Sequence, residues 1–393
     1  GTVGCNGRGF TLSGVQARAL GGDLRAEGGT RNPAPPAGEA HTQLRIQGQA
    51  SAEGLRQAQN LGPVPRLARQ AIGSTPYSVV VGIKPAGADI SVTSNLQGLA
   101  LSLPAPLNKA AADPLPLRFD LSHAGTAAKP LDQLKLDLGR VGSFQYVRDI
   151  AGADPVVLRG TIGVGLAPGE TVALPDQGVA ASLVLVGVNL DDWEQALAPA
   201  PASGAPAVSG AGAAARGLAD PAVQGYLPTS FSLRARELTV SGRTVNNFSA
   251  TGTREGLTWR AQVEASQVLG SVEYRQPATT AAGNGRLVAR LSRLAIPATA
   301  TGEVEALLDQ QTASMPALDV VVDDFELRGK KLGRLEMEAA NRAGAEWRLG
   351  KLVLAMPEAT LNASGSWSAP NPAPPAANTA NARSGARAPA ERR

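Results

Sequence analysis

The sequence predicts a mainly all-β protein whose strands form one long antiparallel sheet, accompanied by few and short helices. Three observations support this class: apolar and polar residues alternate, turn-forming residues are abundant, and a strand pattern occurs twice. The 393 residues include 45 Gly and 29 Pro, which favours many short strands and turns over long helices. Only 4% of the residues are aromatic although 43% are hydrophobic, so Leu, Val, Ala and Ile must supply most of the buried face.

Alternation with a period of two residues is the dominant pattern. Consecutive residues of a strand point to opposite faces, so each alternating segment has one apolar and one polar side. Strands of this type are typical of antiparallel sheets with one solvated face. The segments that show it are 77–83, 134–138, 231–235, 257–263, 272–275 and 335–339.

A pattern of strand, glycine turn, strand and Trp-Arg occurs twice in the second half of the chain. The first copy turns at Gly242 and reaches Trp259, and the second turns at Gly329 and reaches Trp347. The glycines are 87 residues apart and the tryptophans 88. Repeats of this kind stack along one axis, which predicts a long sheet. Recurrence at matched positions also favours packing over ligand stacking for the two tryptophans.

Short helices are predicted near 53–71 and 191–197, the second with Asp191 as N-cap and Glu194 as its capping-box partner. A further helix candidate spans 303–311. The chain divides into four parts: a first β-sheet segment (1–197), an Ala/Pro/Gly-rich linker or loop (198–222), a second β-sheet segment that contains the repeat (223–368) and a disordered tail (369–393).

The sequence offers little material for catalysis or metal binding. Cys5 is the single cysteine, which excludes an intrachain disulfide and any zinc site built on several cysteines. The two histidines, His41 and His123, have no metal-binding partner at a suitable spacing. We therefore predict no catalytic, cofactor-binding or metal-binding residues, and no enzymatic activity.

Adjacent carboxylates occur at Asp191-Asp192 and Asp323-Asp324, and glycosidases do use carboxylate pairs. Neighbouring residues on a strand point to opposite faces, however, so the second pair is poorly placed to act on one bond. The first pair is accounted for by helix capping.

The charge pattern does not indicate a nucleic-acid partner, and we predict none. Lys and Arg number 37 against 33 Asp and Glu, and the two signs are interspersed rather than concentrated on one segment. The longest apolar stretch, 179–190, is about half the ~20 residues that a membrane-spanning helix needs. Any membrane anchor is therefore expected outside this chain.

Several segments resemble the YhdP-type branch of the AsmA-like family, large inner-membrane-anchored periplasmic proteins of Gram-negative bacteria. The most specific is 94–109, which contains an LPxPLxK motif ending at Lys109 and follows a strand that begins near 73–77. The others follow in the family's order: 291–297, 315–325, 332–335, 347–352 and 365–367. The resemblance covers roughly residues 40–367, and implies that the chain is an internal fragment of a longer protein.

This resemblance implies an elongated, curved β-sheet with an apolar groove in the periplasm. The implied function is phospholipid transport between the inner and outer membranes, with no catalytic residues and no cofactor. The expected ligand is a phospholipid or another acyl-chain lipid, and envelope proteins are further candidate partners.

The alternation predicts which repeat residues line the apolar face. They are Phe231, Leu233, Leu257, Trp259, Val320, Val322, Leu335, Met337, Trp347 and Leu349. The alternative function is a non-catalytic β-solenoid scaffold or adhesin-like interaction protein, in which the apolar face is simply core. The lipid-transport and scaffold hypotheses differ in whether the apolar face stays open.

Overall fold

The computed structural model describes residues 1–6, 9–31, 39–85, 87–126, 128–197, 221–240, 242–277, 285–297, 316–342 and 346–368. Within these ranges, 21 strands form one long, curved and unclosed sheet, which confirms the predicted fold class. The predicted helix at 303–311, the tail at 369–393 and almost all of the linker lie outside the described residues.

The strands before residue 150 are β1 (Thr2–Asn6), β2 (Gly9–Ala19), β3 (Gly22–Thr30), β4 (Thr42–Ser51), β5 (Ala71–Lys84), β6 (Gly87–Ser94), β7 (Leu99–Leu101), β8 (Leu117–Thr126), β9 (Lys129–Asp137) and β10 (Gly142–Asp149). The later strands are β11 (Val156–Val164), β12 (Gly178–Asn189), β13 (Ser230–Val240), β14 (Arg243–Glu255), β15 (Thr258–Glu264), β16 (Val268–Arg275), β17 (Arg286–Ile296), β18 (Ala317–Leu327), β19 (Lys330–Arg342), β20 (Glu346–Ala355) and β21 (Thr360–Ser368). The described helices are α1 (Ala52–Gln57), α2 (Val64–Leu67), α3 (Leu190–Leu197) and α4 (Pro221–Gln224), with 3₁₀ turns at Gln59–Leu61 and Ala68–Gln70.

The strands pair in chain order, except that the short β7 pairs with the start of β5 and leaves β6 to pair with β8. Most pairs are antiparallel, whereas β11–β12, β12–β13 and β17–β18 are parallel. A parallel pair requires the chain to cross back to the other end of the sheet. Because β12 pairs with β13, the sheet segments on the two sides of the linker belong to one sheet.

The register aligns one row of side chains across the sheet, to which every strand except β1 and β7 contributes one residue. Apart from one glycine, all members of this central row are apolar. From β2 to β16, only Ala181 among them is fully buried. The central row is Val15, Ala26, Ile46, Val79, Val92, Phe119, Leu136, Phe144, Ile162, Ala181, Phe231, Gly252, Ala261, Val272, Ala289, Val320, Met337, Leu352 and Ala363.

Charged side chains occupy the opposite face of the sheet, which we call the outer face. On it, Arg260 pairs with Glu273 at 2.9 Å, and Arg290 pairs with Asp319 at 2.8 Å. Solvent-exposed pairs of this kind contribute roughly 0–1 kcal/mol each. These ion pairs identify the solvent-exposed face of the sheet and contribute little to its stability.

The internal repeat appears as two matched three-stranded units, β13–β14–β15 and β18–β19–β20. Both first turns use a glycine with positive φ, 73° at Gly242 and 75° at Gly329. A left-handed backbone conformation carries little steric penalty in glycine, which explains why this residue recurs at both turns.

The short helices lie close to where they were predicted, but one predicted cap is wrong. Asn189, not Asp191, caps α3: its Oδ1 accepts hydrogen bonds from the backbone N–H of Asp191 at 3.0 Å and of Asp192 at 3.3 Å. The Asp191 carboxylate instead accepts a hydrogen bond from the backbone N–H of Gly242 at 2.7 Å. The chain therefore enters α3 two residues earlier, and Asp191 is used to fix the helix to the β13–β14 turn.

The LPxPLxK motif forms a compact loop beside β7. Lys109 is 9% exposed, and its ammonium group donates to the carbonyl oxygens of Leu96 at 2.9 Å, Leu99 at 2.5 Å and Ala110 at 3.0 Å. Burial lowers the pKa of Lys109. All three donors of the ammonium group are used, so this lysine stabilises the loop that reaches Pro106.

We predict that Lys109→Met destabilises the protein by roughly 2–4 kcal/mol, because buried carbonyl oxygens would lose their donor. The urea midpoint followed by far-UV circular dichroism measures this effect. Lys129→Met, at the exposed first residue of β9, is the control and should leave the midpoint unchanged. Equal midpoints for the two variants would contradict this role of Lys109.

Candidate functional site

A cavity of about 540 Å³ lies on the apolar face over strands β11 to β16. Its floor includes Phe231, Ala261 and Val272 of the central row and part of a second, adjacent row. We define the second row as Val164, Leu183, Leu233, Ala250, Val263, Gly270, Leu291, Val322, Leu335, Leu354 and Leu361, of which the first five line the cavity. The residues that line the cavity include no Asp, Glu, Lys or Arg. This site is therefore suited to hydrocarbon and offers no charge to a ligand.

Aromatic residues form one side of the cavity. The rings of Phe231 and Trp259 pack with centroids 5.7 Å apart, and the Arg254 guanidinium lies 5.6 Å from the Trp259 ring centroid. Arg254 is 9% exposed and donates to four carbonyl oxygens, among them those of Pro228 at 3.0 Å and Leu227 at 3.1 Å. Its charge is thus used to anchor the segment after α4, not to attract a ligand.

Helix α3 forms the opposite side. Leu190 and Trp193 line the cavity together with Pro106 from the LPxPLxK loop. The Trp193 indole Nε1–H donates to the carbonyl oxygen of Ala105 at 2.9 Å. A loop beside β7 and a helix after β12 therefore meet over the apolar face.

A polar cluster closes the apolar face at the other end of β12. Arg148 Nε donates to the Asp132 carboxylate at 2.8 Å, and Arg148 Nη1 donates to the Tyr226 hydroxyl at 3.0 Å. The Tyr146 hydroxyl donates to the Tyr226 carbonyl oxygen at 3.2 Å, and the two rings meet edge to face with centroids 5.1 Å apart. Asp132 is only 4% exposed, so this ion pair is structural. Removing one partner would leave a buried charge uncompensated.

Burial, together with the neighbouring Tyr226, raises the pKa of Tyr146 to about 12. The unfolded chain would lose the same proton near pH 10. The contribution of this group to stability is therefore constant below pH 10 and falls as pH rises from 10 to 12, by roughly 3 kcal/mol in total.

We predict that Tyr146→Phe removes this alkaline loss. At pH 8 the variant should be less stable by about 1 kcal/mol because one hydrogen bond is absent, and the difference should narrow or reverse by pH 11.5. Urea midpoints of both proteins across this pH range provide the measurement. Parallel curves for the variant and the wild type would show that the Tyr146 hydroxyl does not titrate differently on folding.

The structure separates the predicted apolar-face residues into three groups. Phe231, Leu233 and Trp259 line the cavity. Leu257, predicted to begin a strand, lies with Gly256 in the turn before β15. The others pack in clusters of their own side chains: Val320, Val322 and Leu335 with Met337 against them, and Trp347 with Leu349.

The lining residues that the sequence analysis did not predict include Trp193, Pro106 and Phe248. The first two come from a helix and a loop that are distant in sequence, and no local pattern pairs them. The sequence could have indicated Phe248, because it alternates with Ala250 in the segment that forms β14. That segment was not among those selected for their alternation.

Asp191, Asp323 and His123, which were considered for chemistry, have structural partners. Asp323 pairs with Arg334 at 3.0 Å, and the His123 Nδ1 lies 3.0 Å from the carbonyl oxygen of Ala88. In the described part of the chain, no group of three His, Cys, Asp or Glu side chains is arranged to hold a metal ion.

These features define an open β-sheet protein with an apolar groove on one face. The family described as YhdP protein matches residues 1–375, and the chain belongs to this family. It is an AsmA-like, envelope-associated family linked to lipid transport. No curated protein and no solved structure matches the chain significantly. Among the described residues, none of the helices combines the length and apolarity needed to span a bilayer.

Proposed function

We propose that this chain is the periplasmic segment of a bridge-like lipid transport protein. It would shelter phospholipid acyl chains in the apolar groove on their way between the inner and outer membranes. The membrane anchor would lie outside this chain, in the inner membrane, and envelope proteins would be further partners. The role is non-catalytic and needs no cofactor.

The observation that carries this proposal is the central row. It presents partly buried apolar side chains from β2 to β16, interrupted only by Gly252 and by the buried Ala181. Apolar surface of this extent on a soluble protein marks an interaction site. A row that crosses the sheet from strand to strand offers a path, whereas a single deep pocket would hold one ligand in place.

The energetics suit transit rather than tight binding. Each buried methylene contributes about 0.8 kcal/mol, so ten methylenes give roughly 8 kcal/mol. Association costs an estimated 4–15 kcal/mol in lost translational, rotational and conformational freedom. The cavity supplies no ion pair to the headgroup, so the net affinity stays modest and the lipid can move on.

The scaffold alternative is favoured locally by one observation. Along β17 to β20 the same face is packed by its own side chains, and Val322 is 0% exposed. A scaffold or adhesin-like protein would show such packing along its whole length. The open cavity over β11 to β16 is what distinguishes the two functions.

We predict that a photoreactive diazirine amino acid at Leu233 captures phospholipid, while the same group at Arg234 does not. Leu233 lines the cavity, whereas its neighbour Arg234 is exposed on the outer face. The purified chain is mixed with phosphatidylethanolamine vesicles, illuminated and analysed by mass spectrometry for lipid adducts. Equal capture at both positions, or none at either, would overturn the proposal.

Filling the groove should reduce lipid binding without unfolding the sheet. Ala261 lines the cavity in β15, and Gln262 is the adjacent exposed residue on the outer face. We predict that Ala261→Leu lowers the lipid recovered by solvent extraction of the purified protein at least threefold, whereas Gln262→Leu leaves it unchanged. Circular dichroism checks that both variants fold. Unchanged lipid in a folded Ala261→Leu protein would contradict the groove as the binding site.

A further inference from the structure

Beyond the groove itself, the structure contains a partial roof over one stretch of it. We propose that α3 and the LPxPLxK loop hold one acyl chain over strands β11 to β16, and that Trp193 determines how long the chain is retained. This inference rests on the proposed lipid-binding function. It adds to that function a specific binding position and a specific residue.

The position of α3 is fixed by two contacts at its N-terminal end. Asn189 caps the helix directly after β12, and the Asp191 carboxylate accepts a hydrogen bond from the Gly242 N–H at the β13–β14 turn. Leu190 and Trp193 are three residues apart and therefore share one face of the helix. Both line the cavity, so this face of α3 is turned towards the groove.

The indole of Trp193 is oriented by a contact from a distant part of the chain. Its only polar atom donates to the Ala105 carbonyl oxygen at 2.9 Å, so the ring offers apolar surface to the cavity. Pro106, the next residue, lines the cavity beside it. The loop is itself rigid, since Leu103 is 4% exposed and Lys109 is bonded to three carbonyl oxygens. The hydrogen bond therefore connects two well-supported elements.

The space under this partial roof suits hydrocarbon. Floor residues such as Leu183 and Leu233 face the roof, and the Phe231–Trp259 pair forms the far side. A volume of about 540 Å³ lies within the range of ligand pockets, roughly 300–1,000 Å³. Without charged lining residues the site gives a headgroup no compensation for lost water. The occupant is thus the acyl chain of a phospholipid, with the headgroup left outside.

The first arm of the test maps contacts on the unmodified protein. A phosphatidylethanolamine with a diazirine near the end of one acyl chain is bound, illuminated and mapped by peptide mass spectrometry. The proposal expects adducts on residues 190–193 and on the β12 and β13 floor. Adducts on the floor without any on α3 would overturn the roof while the proposed function stands. The absence of adducts on every part of the protein would overturn both the roof and the proposed function.

The second arm measures retention. The probe is a phospholipid that carries a fluorescent acyl chain, and its residence time on the protein is measured. Trp193→Ala should shorten this residence time at least fivefold. Trp193→Phe, which keeps an aromatic ring but lacks the N–H donor, should change it less than Trp193→Ala. Val186→Ala removes apolar atoms from the outer face of β12, where Val186 is 73% exposed, and should have no effect. A residence time in a folded Trp193→Ala protein equal to that of the wild type would overturn the role of Trp193.

Discussion

The structure depends on one constraint: the register of every strand pair must keep apolar side chains on the same face. A slip of one residue would move all side chains of a strand to the opposite face. The constraint holds through antiparallel hairpins and also through three parallel neighbours, β11–β12, β12–β13 and β17–β18. The central row continues through each of them. Continuity of the row, rather than any single contact, makes the face a groove.

The curvature of the sheet, together with hydrogen bonds at both ends of β12, gives the apolar face its depth. The Trp193–Ala105 hydrogen bond joins elements 88 residues apart in sequence, and the cluster of Asp132, Arg148 and Tyr226 fixes the chain at the other end of β12. These contacts lie at opposite ends of β12. Between them the floor is left for a ligand, because the polar groups at both ends are already engaged with the protein.

The sequence predicted the strands and their faces well, and the tertiary contacts poorly. Period-two alternation is a local property, so Phe231, Leu233 and Trp259 could be assigned to one face. The capping of α3 was misassigned because Asp191 and Asn189 are both good caps, and only the geometry shows that Asp191 is bonded to Gly242. Trp193 could not be assigned, since its partner Ala105 comes from a loop whose position depends on the whole fold. Leu257 continues the alternating sequence pattern of the segment that forms β15. Gly256 before it, however, has a positive φ of 56°, and the turn includes both residues.

Side-chain size explains why one face is open in one place and packed in another. In the first copy of the repeat, β13 to β15, the two floor rows contain Gly252, Ala250 and Ala261 beside Phe231, Leu233 and Val263. Over β18 to β20 the same rows contain larger residues, Val320, Val322, Leu335, Met337, Leu352 and Leu354, which form or pack against the buried cluster. Close packing requires that volume be filled, and Gly or Ala at three of the six positions of the first copy leave part of it unfilled. The repeat therefore supplies the same backbone twice, and the side chains decide which copy is core and which is groove.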